Sequence, residues 1–150
     1  MNIPKHLSLI IGLLSLLLIN NNCTRAKHLK EQKLAKLKQQ EEVLVAELEE
    51  YVQPPIWNFL KEEVVKEVKE YPPAAKHQFK TSRRMYNDLT QALEESKAGN
   101  LDAQEKVAAG LAELIEEGFK AETVEQGIKG LEKWIALLQN LKQQYELINS

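Results

Sequence analysis

Apolar residues recur at three- and four-residue intervals along most of this sequence, and this spacing limits the chain to helical structure. The intervals place Leu34, Leu37, Leu44, Leu48 and Tyr51 on one side of a helix, with a glutamate interrupting the row. A helix brings residues three and four apart to one face, whereas a strand requires strict alternation. No alternating run of Val, Ile or Thr and no Asn-Gly or Asp-Gly turn occurs. The spacing therefore predicts an all-α fold.

Proline pairs and glycines divide this pattern into separate helices. Pro54-Pro55 and Pro72-Pro73 interrupt it, because proline disfavours helical backbone in the residue before it, and Gly99 and Gly118 match helix ends. The predicted helices cover residues 26–51, 56–70, 74–97, 102–117 and 123–148. Because the last four are joined by short connections, we predict an antiparallel bundle of about four helices preceded by a helical stalk.

The last predicted helix carries two local signals. Thr123 and Gln126 have the spacing of a capping box, which predicts that a helix begins there. Gly127 and Gly130 lie inside the helix, where each glycine costs about 1 kcal/mol relative to alanine. We therefore expect the glycines at a close helix contact, either within the bundle or in a self-associated dimer. A Gly-x-x-Gly loop that binds nucleic acid would need flanking strands, which the sequence lacks.

An uninterrupted apolar run from Leu7 to Ile19 follows the short basic start of the chain. The run has 13 residues, whereas a helix that spans a bilayer needs about 20, and three asparagines follow it. This layout is typical of a secretory signal peptide. A buried core helix is rarely apolar on every face, so we predict that residues 1–22 are a targeting segment.

The only cysteine of the chain, Cys23, lies four residues beyond the apolar run. The segment from Leu16 to Cys23 resembles the signal of bacterial lipoproteins, in which such a cysteine becomes the lipidated N-terminus. Asn20 and Asn22 depart from the usual aliphatic and small residues and are closer to the looser signals of spirochaetal (Borrelia-type) lipoproteins. The resemblance implies acylation of Cys23, as with palmitate, and attachment of the mature chain to a membrane. The alternatives are an uncleaved N-terminal anchor and plain secretion with cleavage after Ala26.

Charge changes in blocks along the mature chain. Residues 24–40 carry a net charge of +5 and residues 41–70 a net charge of −6. The lysines of the first block point around the helix, which favours a solvated stalk, although each lysine near anionic headgroups adds about 1 kcal/mol of attraction. We therefore predict a signal peptide at 1–22, a lipid-anchored charged stalk at 23–53 and a helical bundle domain at 54–150.

The sequence lacks the patterns of an enzyme. Its three histidines, His6, His28 and His77, are isolated, and it contains no common metal-binding or phosphate-binding motif. We predict no catalytic residues, no metal and no cofactor. Acidic residues outnumber basic ones, 22 to 20, which argues against nucleic acid as a partner because phosphate contacts require an excess of cations.

Four cations form the one candidate ligand patch. Lys76, Lys80, Arg83 and Arg84 are spaced i, i+4, i+7 and i+8, so a helix places them on one face. Arginine makes bidentate contacts with anionic groups, and the patch therefore fits a sulfated polysaccharide, an acidic protein or lipid headgroups. The alternative is that it pairs with glutamates of the preceding helix, namely Glu62, Glu63, Glu67 and Glu70.

These observations predict a small helical lipoprotein that acts as a non-enzymatic binding protein, attached to the outer membrane and exposed at the cell surface. Small surface lipoproteins of the Borrelia type contact host components, so the resemblance implies a host protein or glycosaminoglycan as partner. One alternative is a periplasm-facing structural or assembly lipoprotein that docks to an envelope partner through the stalk or the Gly127 and Gly130 face. Another is an inner-membrane protein anchored by an uncleaved Leu7–Ile19 segment.

Overall fold

The computed structural model describes the backbone of residues 5–59, 65–70 and 72–150, and the side chains of residues 21–58, 66, 69–70, 73 and 76–150. The described residues form six helices, α1 (Lys5–Leu48), α2 (Pro54–Phe59), α3 (Val65–Glu70), α4 (Pro72–Lys97), α5 (Leu101–Glu116) and α6 (Val124–Ile148). These ranges contain no strand, and β-type pairing within them is limited to an isolated antiparallel bridge between Val52 and Phe119. The prediction of an all-α helical bundle is confirmed.

Glycine ends two of the helices through the same backbone motif. After α4, Gly99 has a φ of 92°, its N–H donates to the Ser96 carbonyl at 3.0 Å, and the Asn100 N–H donates to the Glu95 carbonyl at 3.2 Å. Gly118 repeats this arrangement after α5, with a φ of 95°. The two bonds satisfy carbonyls that a helix end leaves unpaired, and glycine adopts the required left-handed backbone without a steric penalty. Both predicted helix ends are confirmed.

Side-chain caps begin the last two helices. Asn100 Oδ1 accepts a hydrogen bond from the Ala103 N–H at 3.2 Å, and Thr123 Oγ1 accepts one from the Gln126 N–H at 3.3 Å. Gln126 Oε1 accepts from the Glu122 N–H at 2.9 Å, one residue earlier than a capping box requires. The predicted start of the last helix is confirmed, with its reciprocal bond moved by one residue.

Helix α6 lies at the centre of the core. It packs against α3, α4 and α5, and its side chains meet Leu114 from α5 and Leu89 from α4 in one apolar cluster. The leucines of α6 that are at most 2% exposed are Leu131, Leu137, Leu138 and Leu141. Burying such a side chain contributes about 1.5–3 kcal/mol, so α6 supplies a large share of the apolar stabilisation.

The chain divides into two compact units, Met1–Lys36 and Leu37–Ser150. Helix α1 contains residues of both. In the second unit, Leu44, Val45 and Leu48 of α1 pack in the core, together with Val52 from the loop that follows. The boundary between the compact units at 36/37 lies within the segment 23–53 that the sequence assigns to a stalk, and Leu44 and Leu48 of that segment pack in the core.

The proline pairs begin helices as well as interrupting the pattern. Helix α2 begins at Pro54 and α4 begins at Pro72. Proline is tolerated at the first position of a helix, because the N–H that it lacks would have no intrahelical acceptor there. The helix predicted over 56–70 is described at its two ends, as α2 and α3. Residues 60–64 lie outside the described residues.

Candidate functional site

Cys23, the predicted lipidation site, lies on α1 with an exposed side chain and forms no disulfide. Residues 21–29 are all exposed, so no described side chain next to Cys23 covers its thiol. The predicted signal run Leu7–Ile19 is helical as part of α1, and its side chains lie outside the described residues. Over the part of the chain that is described, no helix has both the length and the apolarity needed to cross a membrane.

The four cations of the predicted ligand patch are all exposed on α4. The guanidinium carbon of Arg83 lies 6.0 Å from the centroid of the Phe79 ring, which is within cation–π range. Arg84 Nε lies 3.8 Å from Asp88 Oδ2, one turn along the helix. Exposed contacts of this kind contribute little to stability, so the arginines are oriented by local neighbours while their charged groups stay accessible.

The alternative that the patch pairs with glutamates of the preceding helix concerns four side chains, of which the structure describes only that of Glu70. Glu62, Glu63 and the side chain of Glu67 lie outside the described residues. Glu70 is exposed. Among the described side chains, Lys76 and Lys80 form no ion pair, so the ammonium groups remain accessible on this part of α4.

Glu41, which interrupts the apolar row on α1, lies in a polar network that the sequence did not reveal. Its Oε1 accepts a hydrogen bond from Lys69 Nζ at 2.8 Å, and its Oε2 accepts one from Gln144 Nε2 at 2.7 Å. Gln144 also donates to Asn140 Oδ1 at 2.7 Å, and Asn140 Nδ2 donates to the Leu37 carbonyl at 2.9 Å. The network joins the C-terminal part of α1 to α3 and α6.

The network satisfies polar groups that burial would otherwise penalise. Asn140 and Gln144 are 5% and 2% exposed, and a buried polar group left unpaired costs about 1–3 kcal/mol. Both carboxylate oxygens of Glu41 already accept hydrogen bonds, so the arrangement suits fixing the register of α1 on α6 rather than proton transfer. The sequence signal was the spacing of Asn140 and Gln144, which lie one turn apart and interrupt the apolar face of α6.

An ion pair also joins α1 to α6. Lys133 Nζ lies 2.7 Å from Glu47 Oε2, and the hydrogen bond to this carboxylate raises the pKa of Lys133 above its ordinary value, against the opposing effect of burial. Because the folded-state pKa is raised, the stabilisation is fully present below the ordinary pKa of lysine and is lost as pH rises through the raised value. The two side chains are 37% and 41% exposed, so solvent screening keeps the contribution small.

The glycine pair of α6 lies at close contacts within the bundle. A Cβ atom added to Gly127 would overlap Leu114 Cδ1, and one added to Gly130 would lie 2.9 Å from both Phe119 Cδ1 and Tyr51 Cβ. The expectation of a tight packing contact is confirmed inside the chain. The neighbours of these glycines are residues of the same molecule, from the end of α5, the loop after α5 and the loop after α1.

A surface depression of about 520 Å³ lies beside the start of α6. Its lining contains both signs of charge, from Glu50, Lys120, Glu122 and Lys129. Lys120 Nζ donates to the Glu49 carbonyl at 3.2 Å, and the Gln126 side chain accepts from the Glu122 backbone. Lys120 and Gln126 form hydrogen bonds within the chain, and the lining contains two acidic and two basic side chains. The charge of the depression therefore favours neither an anionic nor a cationic ligand.

Comparison with known proteins assigns no family to the chain. No family model matches it, and no curated protein or solved structure does. Cys23 and the α4 patch are therefore interpreted from their own chemistry.

The described side chains offer no grouping for metal chemistry. Among them, no set of three or more His, Cys, Asp or Glu residues is arranged to hold an ion. His28 Nε2 lies 3.2 Å from Gln32 Nε2, one helical turn away, and His77 is exposed. His28 and His77, the histidines whose side chains the structure describes, thus lie on solvated helix surfaces.

Proposed function

We propose that the chain is a lipid-anchored helical protein of the cell envelope that binds another macromolecule at the outer-membrane surface and catalyses no reaction. The observation that carries the proposal is the position of Cys23. The single cysteine follows the apolar segment at the spacing of a lipoprotein signal, and its side chain is exposed. Residues 1–22 would be removed, and the mature protein would begin at the acylated cysteine.

Acylation would supply the attachment to the membrane. Each buried methylene contributes about 0.8 kcal/mol, and stable anchoring takes more than one chain. A bacterial lipoprotein carries three chains, which is enough to hold a helical body of this size at a surface. The charged residues between Cys23 and Leu37 are exposed except Lys30, which is partly buried; an exposed segment is expected between an anchor and a folded body.

The binding role is assigned to the patch of Lys76, Lys80, Arg83 and Arg84. Its exposed cations fit an acidic partner, either a host protein or a sulfated glycosaminoglycan, because arginine and lysine contact carboxylate and sulfate groups directly. Attraction between exposed charges is screened by salt. Binding through this patch should therefore weaken as ionic strength rises.

Intact mass spectrometry tests the anchor. Protein extracted from its native membrane should have the mass of residues 23–150 plus acyl groups, and a Cys23→Ala variant should lack this species. A full-length mass with Met1 retained and no acyl group would overturn the lipoprotein proposal and support the uncleaved inner-membrane anchor. A Thr24→Ala variant, which changes the adjacent residue and keeps the cysteine, is the matched control.

Binding to immobilised heparin tests the patch. A K80Q/R83Q/R84Q variant should elute at clearly lower salt than the unmodified protein, because three of the four cations are removed. The matched control is K106Q/K129Q/K142Q, which removes the same charge from exposed lysines elsewhere. Equal elution of the two variants would show that net charge, and not the α4 patch, governs binding.

Protease added to intact cells distinguishes surface exposure from the periplasm-facing alternative. A surface protein should be digested and a periplasmic one spared. The periplasmic reading offered docking through the stalk coil or through Gly127 and Gly130. The two glycines and the side chains of Leu44, Val45 and Leu48 pack inside the bundle, so a partner that docks on the stalk would contact the exposed residues before Leu37.

A further inference from the structure

Residues 23–36 of α1 form a cationic helical segment without a cover of packed side chains. Within the described unit Met1–Lys36, only Lys30 and Leu34 of this segment are partly buried, and the remainder are exposed. The segment contains five cations and one carboxylate, Glu31. Its charge is therefore strongly positive, and its side chains are exposed except at Lys30 and Leu34.

The cations occupy one side of the helix. At about 100° per residue, Arg25, Lys27, Lys30, Lys33 and Lys36 fall within about 200° of the circumference. The opposite side carries no cation and consists of Thr24, His28, Glu31, Gln32 and Ala35. The pattern is thus more one-sided than the even distribution expected from the sequence, and the contact between His28 and Gln32 lies on the side without cations.

Apolar residues lie within the cationic side. Leu29 is 48% exposed, and both Leu29 and Leu34 fall between the lysines on the helical wheel. Cys23 lies on the same side. Because Leu29 and Leu34 lie about 140° apart around the helix, they form no single apolar face, and this side matches a layer of anionic groups that the cations contact.

We propose that residues 23–36 lie along an anionic lipid surface, with the exposed cations Arg25, Lys27, Lys33 and Lys36 contacting headgroup phosphates. The proposal rests on the proposed membrane attachment and adds the lipid class that the segment binds. A lipid surface fits better than an acidic protein because the cations spread over a wide sector that includes leucines. Attraction of this kind increases with each lysine near the surface.

Hydrogen–deuterium exchange on membrane-reconstituted protein tests the proposal. The protein as extracted is placed in vesicles of phosphatidylcholine alone or with about one quarter phosphatidylglycerol. Peptides from residues 23–36 should exchange about tenfold more slowly on the anionic vesicles, because contact with the headgroups opposes local opening of the helix. Exchange of the core helix α6 should be the same on both vesicles.

Two charge variants separate this segment from a general effect of charge. K27Q/K33Q/K36Q should lose the difference between the two vesicles, and K76Q/K80Q/R83Q, with the same change in net charge, should keep it. Equal exchange of residues 23–36 on both vesicles overturns the proposal. Slower exchange confined to residues 76–84 also overturns it, since the α4 patch would then be the lipid-binding surface.

The same spectra report the state of the N-terminal peptide. An unacylated protein that still binds anionic vesicles through residues 23–36 would refute the lipoprotein proposal and leave the lipid-surface proposal supported. An unacylated protein that binds neither vesicle would refute both. An acylated protein whose residues 23–36 exchange equally on both vesicles would refute only the lipid-surface proposal.

Discussion

At the scale of single residues, Glu41 combines a charged group with a largely buried position. Its side chain is 15% exposed and forms an ion pair with Lys69, while Gln144 donates a hydrogen bond to its second carboxylate oxygen. Removing one partner of such a group leaves the others without a hydrogen bond, which costs more than the intact bond contributes. Glu41 therefore stabilises the contact between α1 and α6 mainly by satisfying Gln144.

We expect Glu41→Ala to lower the free energy of unfolding by about 1–3 kcal/mol, because Lys69 and one of the two Gln144 side-chain N–H groups lose their acceptor, while the bond from Gln144 to Asn140 remains. Urea denaturation followed by circular dichroism measures the change. Glu42→Ala is the matched control, since Glu42 is exposed and surface changes usually stay within about 0.5 kcal/mol. If both variants unfold at the same urea concentration, the network does not contribute to stability.

Residue-level prediction from the sequence succeeded for backbone signals and failed for this network. Gly99, Gly118 and Thr123 act within one helical turn, so their roles follow from local chain geometry. The bond between Gln144 and Glu41 joins residues 103 positions apart, and nothing in local sequence selects that pairing. Cys23 and the α4 patch were recognised from sequence patterns, and their functions remain predictions.

At the scale of helices, α1 shows how one apolar row admits two interpretations. A row at three- and four-residue intervals is expected both in a stalk that forms a coiled coil and in a helix that packs on a bundle. Leu44, Val45 and Leu48 lie in the core, which identifies the second. The polar residue in the row, Glu41, has its partners on α3 and α6 of the same chain, as a bundle helix requires.

The contact between α6 and the loops around it predicts different costs for its two glycines. Gly130→Ala should destabilise the protein by about 1–3 kcal/mol, in the range for overpacking, because the added methyl meets Tyr51 Cβ, which is fixed to the backbone. Gly127→Ala should cost less, since Leu114 Cδ1 can move by side-chain rotation. Thermal unfolding of both variants gives the order.

Alanine is favoured over glycine in a helix by about 1 kcal/mol, so without these contacts both substitutions would stabilise α6. A higher melting temperature for Gly130→Ala would therefore contradict the close approach of Tyr51 and Phe119. An equal loss in both variants would contradict the distinction between fixed and rotatable neighbours.

At the scale of the molecule, the boundary at 36/37 predicts which fragment can fold. Residues 37–150 should melt cooperatively near the temperature of the full chain, because they contain the whole core cluster. Residues 54–150 lack Leu48 and Val52, which are 0% and 2% exposed. Truncating one such side chain costs about 2–5 kcal/mol, a large part of a typical stability of about 5–15 kcal/mol.

Circular dichroism melting of the two fragments decides between the boundaries. We expect residues 54–150 to lose the cooperative transition. The fragment 24–150 is the control, because it lacks only residues 1–23 and keeps all of the core cluster. A cooperative melt of residues 54–150 at the temperature of the longer fragment would instead support a domain boundary at 53/54.

Because α6 lies at the centre of the core and at the end of the sequence, the core can form only late in synthesis. Residues 44–52 remain without much of their cover until Leu131–Leu141, nearly one hundred residues later in the sequence, have left the ribosome. A nascent chain that stops short of α6 holds helices with exposed apolar faces and no finished core. The chain thus lacks its finished core through most of its synthesis and gains its cooperative packing only when α6 is complete.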